Sequence, residues 1–170
     1  MSGKAIGKNF DLGYAGNVSR DRDRDNIIVS RVVKQGEQDI LFGQAVVLNE
    51  DNTIQKIDEE NTQEQCIGIA IREVKQTTNY FTSEGAYHQG DACSILTRGS
   101  ITVKCNKGTP KAGGKVYVRT TQSESIENGG VGEFEAEQDT GNVELENVIF
   151  TTGQLDKNNI AEITILERRI

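Results

Sequence analysis

The sequence has little aromatic character, and this limits the kind of core it can build. Among 170 residues there are nine aromatic side chains, no tryptophan, one histidine and one proline. Ile, Val and Leu must therefore supply most of the apolar contacts, and these side chains suit sheets better than ligand pockets. Beside a single proline, the 18 glycines indicate many tight turns between strands.

Other scarcities exclude whole classes of protein. The net charge of −7 and the pI of about 4.8 argue against nucleic acid as a partner, because phosphate would be repelled. No apolar run approaches the roughly 18 residues needed to span a bilayer, and the first ten residues lack the apolar core of a signal peptide. Three cysteines are too few and odd in number for a disulfide scaffold, so we expect synthesis in a reducing cytosol.

Short β-branched segments recur at regular spacing and are separated by turn residues. Glu50, Asp51 and Asn52 suit a hairpin turn, and Gly68 lies inside a strand pattern, as at a bulge or close approach. No window of useful length shows helical periodicity; residues 58–65 suit a loop or a short helical turn. About nine short strands are predicted, at residues 27–33, 40–49, 53–57, 66–74, 92–96, 100–105, 115–120, 142–153 and 160–168. This pattern predicts an all-β fold, a compact β-barrel or β-sandwich of short antiparallel strands with an extended N-terminal arm.

The chain divides into an arm and one domain of ordinary size. Residues 1–26 have few apolar side chains and predict an extended arm, and residues 27–170 predict a single β-rich domain. The acidic, glycine-rich stretch near residues 123–142 predicts an exposed loop. Arginine and aspartate alternate at the end of the arm, so an extended backbone places Arg20, Arg22 and Arg24 on one side and the aspartates on the other.

Residues 89–108 contain the types found in catalytic sites, but their pattern favours strands. If Arg98 and Gly99 form a two-residue turn, Cys93 faces Lys104 and the thiols of Cys93 and Cys105 point to opposite faces. If the loop has three residues centred on Gly99, the two cysteines face each other. Both cysteines lie within apolar alternation, which favours buried, inert thiols.

The remaining possible sites fail on spacing. His88 is five residues from Cys93, too far along an extended chain for a direct hydrogen bond without a sharp turn. Residues 108–115 resemble a phosphate-binding loop but have glycine where lysine is required and lead into a strand pattern. The aspartates of the arm lack the later ligands of a calcium loop. The acidic residues of 133–139 lack the aromatic platforms of a glycosidase site. We therefore predict no catalytic residue, no cofactor site and no metal site.

The order of motifs resembles the structural cement (capsid decoration) proteins of tailed bacteriophages. The matching segments are GYAGNVSR, SRVV, ILFGQAVVLN, CIGIAIRE, QGDACSILTRGSITVKCNKGTPKAGGKVYVR and NVIFTTGQLDKNNIAEITILER. They cover nearly the whole chain from about Leu12 onwards.

The resemblance implies a non-enzymatic virion protein, made in the host bacterial cytoplasm, that binds the outer surface of a phage capsid and bridges neighbouring capsomers. The implied partners are the major capsid protein and further copies of the chain, as a homotrimer. Neither nucleic acid nor a membrane is an expected partner. The alternative is a carbohydrate-binding head-fibre or host-adhesion module. Arms and exposed aromatic side chains are common anchors of interfaces, so the predicted partner-binding residues are Gly13, Tyr14, Asn17, Arg20, Arg22, Arg24, Tyr80, Phe81 and Tyr87.

Overall fold

The computed structural model describes residues 11–20, 26–73, 85–126 and 129–167. The all-β class is confirmed, and the arrangement is sandwich-like rather than a closed barrel. The described residues form eleven strands and one 3-10 turn at Gln63–Gln65. The strands are β1 Ile27–Val32, β2 Ile40–Leu41, β3 Ala45–Leu48, β4 Ile54–Lys56, β5 Cys66–Ala70, β6 Ala86–Tyr87, β7 Ala92–Lys104, β8 Lys115–Arg119, β9 Phe134–Glu135, β10 Asn142–Leu155 and β11 Ile160–Ile165.

Nine of these strands share one sheet, and every strand pair in it is antiparallel. Its order is β4-β3-β5-β7-β11-β10-β8-β9, with β1 also paired to β7. Strands β2 and β6 form a separate two-stranded sheet. The short outer strands are covered, since β4 bridges Val33 and β9 bridges Cys105. These contacts leave fewer open sheet edges available for uncontrolled pairing.

Strand β7 corrects the predicted hairpin at Arg98 and Gly99. The chain continues through both residues as a single strand of 13 residues, so neither predicted register of Cys93 with Cys105 or Lys104 forms. The first half of β7 pairs with β1 and β5, and the second half pairs with β11. Gly99 has φ +121° and a Cβ there would lie 2.0 Å from Asn26 Oδ1, so glycine serves a close approach and not a turn.

Two apolar clusters make up the core. The larger one lies around β7, β8, β10 and β11 and includes the fully buried Phe134, Phe150 and Ile163. The smaller one lies beneath β1 to β6 and includes Ile40 and Tyr87. Because Ile, Val and Leu fill most of both clusters, the predicted aromatic-poor core is confirmed. No helix in the described ranges has the length and apolar content needed to cross a membrane.

Several local predictions are confirmed. The β3–β4 connection turns at residues 50–52, where Asn52 adopts φ 66° and the Asn49 amide donates to the Thr53 carbonyl. Gly68 marks a close approach of β5 to β7, because a Cβ there would lie 2.2 Å from the Leu96 carbonyl oxygen. The segment at residues 58–65 includes the 3-10 turn. At Asn52 and Gly68 the residue type itself has a specific backbone preference, which made the prediction possible.

Candidate interaction surface

The described part of the predicted arm is attached to the domain by backbone hydrogen bonds. The Gly16 amide donates to the Thr102 carbonyl at 2.7 Å, and the Thr102 amide donates to the Asn17 carbonyl at 2.9 Å. Val18 bridges Ile101 in the antiparallel sense and packs against the larger core cluster. Residues 16–19 thus run beside the second half of β7, on the edge opposite β11.

A crossing of two glycines lets the arm approach the domain closely. A Cβ on Gly16, which has φ +87°, would lie 2.8 Å from the Arg72 amide nitrogen and 2.9 Å from the Gly43 nitrogen. A Cβ on Gly43 would lie 2.7 Å from the Ala15 Cβ. The Arg72 amide also donates to the Gly16 carbonyl at 2.8 Å. This crossing fixes the arm at the point where the chain leaves β5.

An aromatic–arginine stack, made of Tyr14, Arg72 and Phe42, lies at this crossing. The Arg72 Cζ is 4.6 Å from the Tyr14 ring centroid and 5.6 Å from the Phe42 ring centroid. Tyr14 is 66% exposed, whereas Phe42 is 9% exposed and contacts Tyr87 edge to face. The Tyr14 carbonyl accepts a 2.6 Å hydrogen bond from Thr102 Oγ1. The stack therefore presents an exposed ring and a guanidinium on a base that is held by the core.

The other predicted arm residues have structural contacts within the chain. Gly13 adopts φ +93°, and the Asn17 carbonyl pairs with Thr102. Arg20 donates from Nε and Nη2 to the two carboxylate oxygens of Glu162, at 3.0 and 3.2 Å. Glu162 lies on β11 and its side chain also accepts from Ser19 Oγ at 2.6 Å. Of the predicted arm residues that the structure describes, Tyr14 is the one with a mostly exposed large side chain.

Four of the predicted partner-binding residues lie outside the described residues. These are Arg22, Arg24, Tyr80 and Phe81. The expectation that Tyr87 is an exposed aromatic is wrong, because its side chain is fully buried on β6 and its hydroxyl donates to the Ile71 carbonyl at 2.7 Å. Both residues of the two-residue strand β6 are buried, and Tyr87 packs in the smaller core cluster, where burial raises the pKa of its hydroxyl.

The predicted exposed acidic loop is wrong at its centre. Glu135 is fully buried on β9 and Glu133 is 8% exposed. Arg119, on the neighbouring strand β8, donates from Nε and Nη2 to the Glu135 carboxylate at 2.5 and 3.0 Å. Lys107 and Arg119 both contact Asp139 Oδ2 at 2.9 Å. The segment folds inwards because these cations neutralise carboxylates that the sequence shows only as an acidic run.

The cysteines and the histidine lie in different environments, the thiols buried and the imidazole exposed. Cys93 and Cys105 are buried thiols, as predicted, and Cys66 is buried as well. Burial raises the pKa of Cys105 to about 11. His88 is exposed and its Nδ1 lies 2.9 Å from Asp39 Oδ2. The described residues contain no group of His, Cys, Asp and Glu side chains arranged to hold a metal ion.

A polar cavity of about 410 Å³ lies apart from the stack. Its lining includes Glu37, Asp58 and Lys56, and Lys56 Nζ donates to Gln38 Oε1 at 2.7 Å. Burial lowers the pKa of Lys56, although the neighbouring carboxylates oppose that shift. None of the described lining residues is aromatic, so the cavity lacks the flat stacking surface that typically holds a sugar ring.

Sequence reasoning found Tyr14 but missed its partners. Arg72 and Phe42 are 58 and 28 positions away along the chain, and nothing in their local patterns links them to the arm. The glycines at 16 and 43 were the available signal, since paired glycines in separate segments are compatible with a close crossing. Pairing them correctly requires the fold.

Comparison with known proteins agrees with this architecture. The model of a phage structural cement protein family, described as "Structural cement protein (E217 gp24/Pam3 gp6)", matches residues 3–166. A solved chain from "The capsid of Myoviridae Phage XM1" superposes with a TM-score of 0.71 at 16% identity, covering 98% of each chain. At that identity the likeness shows a shared fold. No curated protein matches the chain.

Proposed function

The chain belongs to the phage structural cement protein family, and from that membership we propose that it binds the outer surface of a phage capsid and bridges neighbouring capsomers. Membership makes it a structural protein of the phage capsid. The finer proposal is that the major capsid protein is its direct partner and that it acts as a homotrimer. A symmetric shell would then multiply a modest interface into a large gain in particle stability.

The observation that carries the proposal is the exposed Tyr14 on an anchored arm. Tyr14 is the most exposed of the large apolar or aromatic side chains in the described residues. Its backbone is held by Thr102 and its ring lies against Arg72, so little side-chain entropy remains to be lost when a partner covers it. Exposed tyrosines held in this way are typical anchors of protein interfaces.

The test is co-sedimentation with shells that lack this protein, counting bound copies per shell. We expect saturation at a number that matches a set of symmetry-related positions. Tyr14→Ala should weaken binding by about tenfold, the loss expected for an interface anchor. Leu166→Ala is the matched control, because Leu166 is also exposed, at 45%, but lies at the end of β11. Absence of binding by the wild-type protein would contradict the proposal.

Removal of residues 1–10 tests the beginning of the arm separately. The contacts of Leu12 to Arg20 with the domain lie outside the deleted residues, so a loss of binding would assign a contact to residues 1–10. A deletion through Asp25 would also remove Val18 from the larger core cluster, which would confuse lost binding with lost stability. Proteins with and without residues 1–10 should therefore be compared on the same shells.

The carbohydrate-binding alternative has less support from the described residues. Its aromatic candidates are Tyr80, Phe81 and Tyr87, and Tyr87 is fully buried on β6. Binding to a glycan array that disappears on replacement of Tyr80 would favour it.

A further inference from the structure

Arg72 differs from the other well-placed arginines in its partners. Arg20 and Arg119 each make a two-point contact with a glutamate, Glu162 and Glu135 respectively. Arg72 is exposed, and its guanidinium lies over the rings of Tyr14 and Phe42. Within the described ranges, no hydrogen bond or ion pair engages the nitrogen atoms of that guanidinium.

The aromatic contacts of Arg72 hold its guanidinium and leave the N–H groups able to donate to a partner. A guanidinium over an aromatic ring is held by the attraction between the cation and the ring, which uses none of its N–H groups as hydrogen-bond donors to an oxygen. Two parallel N–H groups in one plane match the two oxygens of a carboxylate. The chain itself uses this geometry at Arg20–Glu162 and at Arg119–Glu135, so the same pairing chemistry is present elsewhere in the fold.

We propose that the aromatic–arginine stack is a receptor for a carboxylate side chain, an aspartate or glutamate presented by the shell protein. This inference rests on the proposed function and deepens it, since it assigns the chemistry of one contact. Tyr14 covers the apolar part of the partner segment, and Arg72 pairs with its carboxylate. The exposed Arg72 cation attracts a carboxylate at this one place. The net charge of −7 repels a carboxylate that approaches the protein elsewhere, so the contact favours one orientation of the partner.

Lysine cannot replace arginine at position 72 in this contact. Lysine retains the charge but has neither the planar fork nor the ability to stack flat on the rings. We therefore expect Arg72→Lys to lose most of the contribution of Arg72, and Tyr14→Phe to retain it, because phenylalanine preserves the ring.

The first experiment uses the free protein and a small probe. The Arg72 Nε–H resonance is followed by NMR at low ionic strength during addition of N-acetyl-aspartate N-methylamide. The neutral N-acetyl-asparagine N-methylamide is the matched control. We expect the aspartate probe to shift the Arg72 resonance and the asparagine probe to leave it in place. Equal shifts with both probes, or none with either, would overturn the proposal.

The second experiment uses shells that lack the protein. Arg72→Gln and Arg72→Lys should each weaken binding by about tenfold or more. Lys115→Gln, which removes one charge from an exposed side chain on β8, should bind as the wild type does. Equal binding by wild type and Arg72→Gln would overturn the carboxylate contact while leaving the cement function intact. If the wild type itself does not bind, the proposed function fails, and the probe titration still decides whether the stack receives a carboxylate.

Discussion

At the scale of single residues, the pairing of buried charges shapes the acidic segment. Arg119 and Glu135 are 3% and 0% exposed and are joined by two hydrogen bonds. Glu135→Ala would leave the buried Arg119 guanidinium with the partly exposed Asp139 carboxylate and the Thr140 carbonyl as its described partners. We expect the free energy of unfolding to fall by about 3–5 kcal/mol, measured by urea denaturation.

An exposed ion pair provides the control for that substitution. Lys115 and Glu144 lie 2.9 Å apart on β8 and β10, but Lys115 is 69% exposed. Glu144→Ala should change the urea midpoint little, because solvent screens this pair. Similar losses from both substitutions would show that burial does not set the energy of the Arg119–Glu135 pair.

Asp139 makes the stability of this region depend on pH. Its hydrogen bond from Lys107, together with contacts from the Thr140 amide and Arg119, lowers the pKa of its carboxyl from 3.8 to about 2. Because the folded-state pKa is lowered, the carboxylate stabilises the fold above pH 3.8, and this contribution is lost as the pH falls towards about 2. Asp139→Asn should therefore lower the urea midpoint at pH 6, and the difference from wild type should shrink across that window. A difference that is independent of pH would contradict this assignment.

At the scale of elements, close backbone approaches position the arm and the central strand. Gly16→Ala would place a methyl group 2.8 Å from the Arg72 amide nitrogen. We expect the arm to loosen, so that the Thr102 amide, which donates to Asn17, exchanges its hydrogen roughly tenfold faster. Gly36→Ala is a close control, because Gly36 has φ +86° but nothing lies within 4 Å of its added Cβ. Equal exchange in the two variants would indicate that backbone strain, and not the crossing, controls the arm.

The approach of β5 to β7 gives a second prediction at this scale. Gly68→Ala would direct a methyl group to within 2.2 Å of the Leu96 carbonyl oxygen, which belongs to the central strand. We expect a loss of about 3 kcal/mol or more in the free energy of unfolding. Gly153→Ala, whose Cβ would meet its neighbours at ordinary distances of 3.4 Å and beyond, should be nearly neutral. A neutral Gly68→Ala would mean that β5 can shift without cost.

The elements that sequence reasoning found are those with local signals. The β-branched run of β1, the turn at Asn52 and the terminal strands β10 and β11 follow from residue types within a few positions of one another. Strand β7 did not follow, because Arg98 and Gly99 are equally compatible with a turn, and the choice is made by partners far along the chain. The burial of Glu135 depends in the same way on Arg119, which lies on another strand.

For the arm, too, the sequence predicted the local conformation but not the partners that the arm contacts. Polar composition predicted an extended segment, and residues 16–19 make backbone pairs with β7 that carry no side-chain signature. Tyr14 was predicted because it lies in the arm, whereas Arg72 was not predicted, because the cation–π contact joins segments that are distant in sequence. Tyr87 was misassigned because a loop and a two-residue strand are hard to distinguish by composition.

At the scale of the whole molecule, the arm pairs with β7, the central strand of the nine-stranded antiparallel sheet. This central strand contributes side chains to both apolar clusters and so joins the two parts of the core. We expect decorated shells to withstand higher temperatures than bare shells. Scanning calorimetry of both, with Tyr14→Ala added in place of the wild type, would measure the gain and its dependence on the stack.

The most direct test of the cement proposal is an electron cryo-microscopy map of shells saturated with this protein. We expect density on the outer surface that contacts subunits of at least two neighbouring capsomers, with the Tyr14 and Arg72 side chains facing the shell. Density confined to a single capsomer, or located on the inner surface, would contradict it.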